Sequence, residues 1–547
     1  MPSIGRSGVV LASGTLVSRV LGFVNALLLY NTIGTVGQGA DAFALANQLP
    51  NNIFTLIAGG TLTAVIVPAI VKATGHADGG ERFLRKLVTL GVTIFLVVTI
   101  VVTIAAPIVV QIYAQSGDPA AGEAGRGFSA AQLQLAYAFA YFCLPQVFFY
   151  AVFAILSEVL NARGVFWPYA WAPVVNNLVF VSVLLGFRFA FGSADGLLAT
   201  DWSPAMVTTL AGGATLGIAI QALVLVLAWR QAGIRFRPDF RWRDAGLGKF
   251  GKLAAWTFGA MLVAQLGGIV ESRVVSIASG EEASLATVAL ASLIAVLPYS
   301  LITMSIAVPY FTRLSTHARD GDVKAIGQDL TNAILTVLVL QVFATVGLVV
   351  LAPWVATVFT TSQEGRLAVA LVLTCTLVGL IPSSISGVLL RGWYALDDTR
   401  AAFILQCIQV TIHVGLLLAI VQAPRDVIAP LAALSLAAAM IVNAAISLGW
   451  MRRRVPTLRV GRVLGRLLWY LLAMVPAAAA GYGIEWVLNE AGYARFPDGD
   501  IVSALVTAAA AGIVMLLVYF ALLMASRNPE ILTVTRPLLG RLSRRTE

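Results

Sequence analysis

Long uncharged apolar runs recur along the whole chain, and their length leaves a lipid bilayer as the environment able to hide them. Val88 to Ala106 and Ile501 to Met524 come close to or exceed the roughly 18 apolar residues that mark a membrane-spanning helix. The chain is 59% hydrophobic and 11% charged, with a mean hydropathy of +0.88, whereas soluble domains carry about 25% charged residues. Reading the runs against Pro, Gly and charged breaks predicts an all-α polytopic membrane protein of about fourteen transmembrane helices. The spans fall near 9–33, 43–73, 87–113, 132–160, 167–191, 205–229, 251–276, 286–312, 326–358, 367–390, 402–422, 427–450, 467–488 and 501–526. The first run, Val9 to Ile33, is too long for a cleavable signal peptide and contains Arg19, so it is read as a span.

Loop charge tests that count. Of the 36 Lys and Arg residues, 29 fall in the termini and even-numbered loops. Five fall in odd-numbered loops (Arg126, Arg188, Arg366, Arg425 and Arg495), and Arg19 and Arg273 lie inside spans. A missed span would scramble this asymmetry; as it stands, the positive-inside rule puts both termini in the cytoplasm. The formal charge of +10 therefore does not imply nucleic acid. Even the aromatic-rich basic loop RFRPDFRWR, lying directly between two spans, reads as a segment facing anionic lipid. Cys143, Cys375 and Cys407 all fall within spans and form no CxxC, so they read as small packing residues rather than as a disulfide framework or a zinc site.

Two segments share a spacing. Pro145 precedes Asn161 by 16 residues and Arg163 by 18, and Pro382 precedes Asp398 and Arg400 by the same intervals, at an offset of 237 that also carries the first span close to the seventh. Six spans per half is an even number, so the halves are expected to be parallel six-helix lobes around a central cavity. The expected organisation is an N-terminal lobe at 1–230, a basic cytoplasmic linker at 231–250, a second lobe at 251–451, two further helices at 452–526 and a basic cytoplasmic tail at 527–547.

Polar residues inside spans are the candidates for function. Arg19 lies about a third of the way into the first span, with Asn25 six residues later. A guanidinium in hydrocarbon costs about 2.5 to 3.5 kcal/mol by insertion scales, so it should face water, an anion or a counter-ion, and its fork suits a phosphate. Snorkelling to the headgroups is the alternative. The second span is unusually polar: Asn47, Gln48, Asn51 and Asn52 surround Pro50, which fits a bent helix lining a cavity or, equally, amide glue between helices. In the seventh span Gln265, Glu271 and Arg273 lie toward the outer end. Glu271 could hold a coupling cation or proton, or reach the outer headgroups. The chain has no GxxxxGK[ST], since GLGKFGK lacks both the spacing and the Ser/Thr, and no HExxH or GxSxG, so it reads as a transporter rather than an enzyme.

The segments SGTLVSRVLGFV, DAFALANQLPN, LPQVFFYAVFAILSEVLNARGVFWPYAWAPVVNNL and YALDDTR together resemble the MurJ (MviN) lipid II flippases of the multidrug, oligosaccharidyl-lipid and polysaccharide exporter superfamily. The resemblance implies a V-shaped pair of lobes, a lipid-tail groove on the two C-terminal helices, and alternating access for an undecaprenyl-linked peptidoglycan precursor in the bacterial plasma membrane. Arg19 and Asp41 fall on family positions. Asn25 stands where many members have an arginine, Phe54 and Thr55 replace an Arg-Arg pair, Gly59 replaces a glutamate, and Leu293 stands where an arginine often occurs. The substrate-binding set is then Arg19, Asn25, Asp41, Asn47, Gln48, Asn51 and Arg273. Glu271 matches an acidic position that looks like part of a sodium site in some members. No cofactor is expected beyond a coupling cation, sodium or a proton. The expected partners are lipid II or a related polyprenyl-pyrophosphate lipid, membrane lipids, and proteins of cell-wall synthesis and division, with no nucleic acid. The rival readings are another exporter of the same superfamily and a non-transporting cell-wall scaffold.

Overall fold

In hydrocarbon every backbone N–H and C=O must be satisfied within the chain, and a helix does this locally. The computed structural model describes residues 4–61, 81–117, 126–229, 238–240, 251–493, 496–526, 528 and 530. Over them it contains helices α1 (Ile4–Ile33), α2 (Gln38–Thr61), α3 (Glu81–Ile104), α4 (Ala106–Tyr113), α5 (Ala130–Cys143), α6 (Gln146–Ala162), α7 (Trp167–Phe191), α8 (Pro204–Trp229) and α9 (Gly251–Val275). Beyond these come α10 (Leu285–Arg319), α11 (Val323–Phe359), α12 (Gln363–Val378), α13 (Leu380–Ala395), α14 (Thr399–Ile420), α15 (Arg425–Arg454), α16 (Val460–Glu490) and α17 (Ile501–Ala525). Thirteen spans among the described residues are long and apolar enough to cross a membrane. The polar α2 is the expected span missing from that set, and its distal part, 62–73, lies outside the described residues. So do the linker 231–250, apart from 238–240, and the tail 527–547, apart from Asn528 and Glu530.

Helix boundaries follow local chemistry. Ser129, Asp322, Ser362, Asp398 and Asp500 each accept a hydrogen bond from the first turn of the helix they precede. Leu144 and Pro145 separate α5 from α6, and Gly379 separates α12 from α13, so the fourth and tenth spans are both broken rods. The turns beyond them carry a residue in the left-handed region, Gly164 at φ 73° and Asp397 at φ 55°. The recurring Pro-to-Arg spacing thus corresponds to a recurring local shape. Short π-helical segments interrupt α8 at Thr208–Gly212 and α10 at Tyr299–Met304, the latter directly after Pro298.

Contacts divide the chain into Met1–Ala286 and Thr287–Glu547. In the first unit α1 packs along α7, α7 along α8, and α2 between α5 and α6, while α9 joins α2 and α4. The repeat places α9 at the head of the second half; by contact it belongs with the first unit. The core there is built from Leu84, Leu87, Val147, Ile155, Val159 and Leu225. In the second unit α11 is the central rod, buried against α12, α13, α16 and α17. Tyr519 of α17 stacks on Phe343 at 5.8 Å and donates to the carbonyl of Val339 at 2.9 Å, which fastens the last helix to α11. Outward faces stay apolar: Leu464, Leu468, Leu472 and Val475 on α16, and Val97, Val101, Ile104 and Ile108 on α3 and α4, are exposed at helical spacing. In water such stripes would drive aggregation; in a bilayer they are the lipid-facing surface.

At the seam between α1 and α7 a single glycine decides how closely the two backbones approach. A Cβ added at Gly14 would lie 2.6 Å from the carbonyl oxygen of Ala170. Gly14→Ala should therefore push the two backbones apart at a cost of about 1 to 3 kcal/mol, visible as a lowered Tm in detergent. Gly22→Ala, whose Cβ would meet nothing within 4 Å, should leave Tm unchanged.

Candidate functional site

The α1–α7 seam is polar below Gly14. The Asn177 side chain donates to the carbonyl of Ser18 at 2.8 Å and to its hydroxyl at 3.2 Å, and accepts from Asn25 Nδ2 at 3.0 Å. Asn25 is 8% exposed, so it lies in a helix–helix junction with its Oδ1 unpaired among the described residues. Arg19, one residue past Ser18, is half-buried and makes no hydrogen bond or ion pair with the described residues. It is a guanidinium whose charge the described part of the chain leaves unneutralised.

On α2 the two faces differ. Phe43, Ala46 and Leu49 are buried, with Phe43 set edge-on against Phe139 at 5.4 Å. Gln48 and Asn51 are exposed, and Asn47 and Asn52 are half-buried, either side of Pro50. The Asn52 carbonyl accepts from Gln265 of α9 at 3.2 Å, so part of this polar run does join helices, while Gln48 and Asn51 present their amides outward.

Asp41, Arg273 and several residues not singled out in the sequence form one network at the opposite end of α2. The Asp41 carboxylate is fully buried; its Oδ2 accepts from the Ser279 hydroxyl at 2.6 Å and its Oδ1 from the N–H of Ala286 at 2.9 Å. Gln132 donates to Ser279 Oγ at 2.7 Å and to the carbonyl of Gln38 at 3.0 Å. Arg273 donates to the carbonyls of Gln111 and Ile112 at 2.8 and 3.4 Å and to Gln115 Oε1 at 2.9 Å, capping the carboxyl end of α4. Ser276 donates to the carbonyl of Arg273 and accepts from the N–H of Gln115. Arg273 is thus engaged with backbone, and Asp41 ties the start of α2 to the turn after α9. Glu271 is half-buried on α9, two residues from Arg273. Arg19, the exposed amides of α2 and this network all fall in the first unit. Among the described residues no hydrogen bond or ion pair joins Arg19 to Asp41 or to Arg273.

The second unit holds a polar cavity of about 170 Å³ lined by Tyr299, Ser383, Gln406, Gln409, Asn443 and Ser447. Asn443 donates to Gln409 there, and Trp393 donates to Ser447 at 3.1 Å. Gln406 and Gln409 are visible in the sequence as lone polar residues in a span; that Asn443 faces them depends on the pairing of α14 with α15.

The network makes a direct forecast. Asp41→Ala removes two charge-assisted acceptors, each worth about 1.5 to 3 kcal/mol, and should lower Tm by more than Asp41→Asn, which retains one carbonyl oxygen for either donor. An unchanged Tm in Asp41→Ala would show that the carboxylate holds nothing together.

Comparison with known proteins bears on what this arrangement serves. A family model described as "Lipid II flippase MurJ" matches residues 31–496. Among curated proteins, a "Probable lipid II flippase MurJ" of Haemophilus influenzae is 26% identical over 71% of this chain and 75% of its own length. One of Rhizobium meliloti is 25% identical over 89% of this chain and 88% of its own length. Among solved structures, "Lipid II flippase MurJ, inward closed conformation" superposes with a TM-score of 0.70 at 20% identity, covering 97% of this chain and 100% of that one. An inward-facing MATE family transporter of the MOP superfamily gives 0.60 at 16% identity, covering 81% and 99%. At those identities the solved structures speak for the fold alone, whereas the family model spans most of the chain: this protein belongs to the MurJ family of lipid II flippases.

Proposed function

We infer that this chain carries lipid II, or a closely related polyprenyl-pyrophosphate lipid, from the cytoplasmic to the outer leaflet of the bacterial plasma membrane by alternating access. Family membership and the names of the curated relatives support the cargo. The observation that carries the reading is the outward amide face of α2: Gln48 and Asn51 are exposed on a helix that elsewhere buries apolar residues. An uncovered amide facing acyl chains would lack partners, so this face lines water. Arg19 supplies the cation. Its fork can hold the pyrophosphate bidentately while amides on α2 hydrogen-bond the neighbouring sugar and peptide.

Without a nucleotide-binding motif, the driving force is an ion gradient or the membrane potential. Glu271, half-buried on α9 beside the outer network, is the residue through which a sodium ion or proton would couple. Proteins of cell-wall synthesis and division are the natural consumers of the delivered precursor. The charge asymmetry of the loops supports cytoplasmic termini.

Two experiments test this. Arg19→Ala should weaken cargo affinity roughly ten- to a hundredfold, the equivalent of about 1.5 to 3 kcal/mol, and fail to complement a flippase-depleted strain at matched expression. Arg19→Lys should rescue it only in part, because an ammonium lacks the fork. Full rescue by lysine, or normal complementation by alanine, would show a snorkelling side chain instead. For orientation, an impermeant thiol reagent applied to intact cells should label Thr200→Cys, in the exposed turn before α8, and spare Asp320→Cys, at the end of α10. The reverse pattern would invert the topology.

A further inference from the structure

At the amino end of α14 and the carboxyl end of α15 lies a cavity of about 320 Å³, lined by Trp393, Arg400, Ile404, Trp450, Arg453 and Arg454, with Asp398 at its edge. Its volume falls within the range of small-ligand sites, roughly 300 to 1,000 Å³. Asp398 is already engaged: one carboxylate oxygen caps α14 by accepting from the N–H of Ala401 at 3.0 Å, and the other lies 3.8 Å from Arg454. Arg400 and Arg453 make no hydrogen bond or ion pair with described residues. Three guanidinium groups therefore line one cavity with a single carboxylate, Asp398, which is already taken up by the α14 cap and by Arg454, so Arg400 and Arg453 are left without a described counter-charge of their own. The remaining wall is apolar and aromatic, with Trp393 buried and Trp450 half-buried. The helices below carry Leu416, Leu418, Ile441 and Val442 exposed, so the cavity opens at the level where lipid-facing surface gives way to a basic helix end. Trp and Arg at such a boundary mark the headgroup layer.

We propose that this cavity binds the phosphate-bearing headgroup of an anionic phospholipid, with Arg400 and Arg453 on the phosphate and Trp450 and Ile404 against the glycerol and upper acyl carbons. A free phosphate would share the cation chemistry but would gain nothing from the apolar wall. A membrane lipid uses both. The site is distinct from the amide face of α2 and Arg19, which belong to the other unit, and its test reads binding rather than transport.

Delipidated full-length protein in detergent would be titrated with tail-labelled phosphatidylglycerol and with phosphatidylcholine of the same tails. Wild-type protein should bind the anionic lipid at least about tenfold more tightly, and Arg400→Gln with Arg453→Gln should abolish that preference. The control pair Arg452→Gln with Arg319→Gln removes the same charge from exposed positions outside the cavity and should keep the preference. Equal loss in the control pair would mean diffuse surface attraction and overturn the site, as would a double variant that retains the preference. If inorganic phosphate at millimolar concentration displaces phosphatidylglycerol as well as unlabelled lipid does, the ligand is a soluble anion and the lipid assignment fails. Should the double variant not fold, the wild-type comparison still decides: equal affinity for the two lipids refutes the proposal.

Discussion

Where a helix ends away from water, the last carbonyls of its carboxyl end must find donors within the chain itself. Arginine supplies them here at three helix ends. Arg188 donates to the carbonyl of Asn31 near the end of α1, Arg273 to Gln111 and Ile112 at the end of α4, and Arg366 to Thr360 just past α11 and to the carbonyl of Pro497. Each is a long-range or turn-level clamp that fixes where a span stops. These arginines are among the few that depart from the basic loops, so the residues that look like exceptions to the charge asymmetry are spent on helix termini. That use of positive charge accounts for Arg273, which, although placed inside a span, donates to the carbonyls at the end of α4.

The spans themselves were legible, because a helix in lipid needs only a sufficiently long apolar run, and the breaks fall at Pro145, Gly379 and the Ser and Asp caps where local chemistry demands them. Partnerships were less so. Asn25 and Asn177 are 152 residues apart, and Asp41 and Ser279 are 238 apart; no spacing rule links positions that meet only through tertiary packing. The same limit applies to α9. The repeat groups it with the second half of the chain, but its contacts to α2 and α4 depend on Gln265, Arg273 and the Ser276 turn, each of which reads in isolation as a lone polar residue. Among the candidates for cargo contact, those already hydrogen-bonded to the protein were the ones whose role sequence alone could not separate from binding.

Setting aside the residues already engaged narrows the candidate set by chemistry. Asn25 serves the α1–α7 seam, Asp41 and Arg273 serve the network at the start of α2, and Asn52 offers its carbonyl to Gln265. Arg19, Asn47, Gln48 and Asn51 make no side-chain hydrogen bond with the described residues and keep the freedom a ligand site requires. One cation and several neutral amides make a different recognition surface from a cluster of arginines. An amide both donates and accepts, so it can follow sugar hydroxyls and peptide groups as they move, and it does not hold a bare charge.

For the proposed transport cycle this matters more than for tight binding. A carrier gains nothing from affinity that is equal in its two states, since only a difference between them shifts the population. A diphosphate gripped by several buried guanidinium groups would be held strongly in both, and each contact would have to be broken at release at about 1.5 to 3 kcal/mol. With Arg19 as the main charged contact, the cost of release falls to roughly one such interaction, and the rest of the cargo is held by amide hydrogen bonds, each of which has a net worth of about 0.5 to 1.5 kcal/mol because water replaces them readily. On the proposed reading, a site with a single arginine need not mean lost function: it would shift the cycle toward weaker capture and easier release, with the pyrophosphate contact concentrated on Arg19.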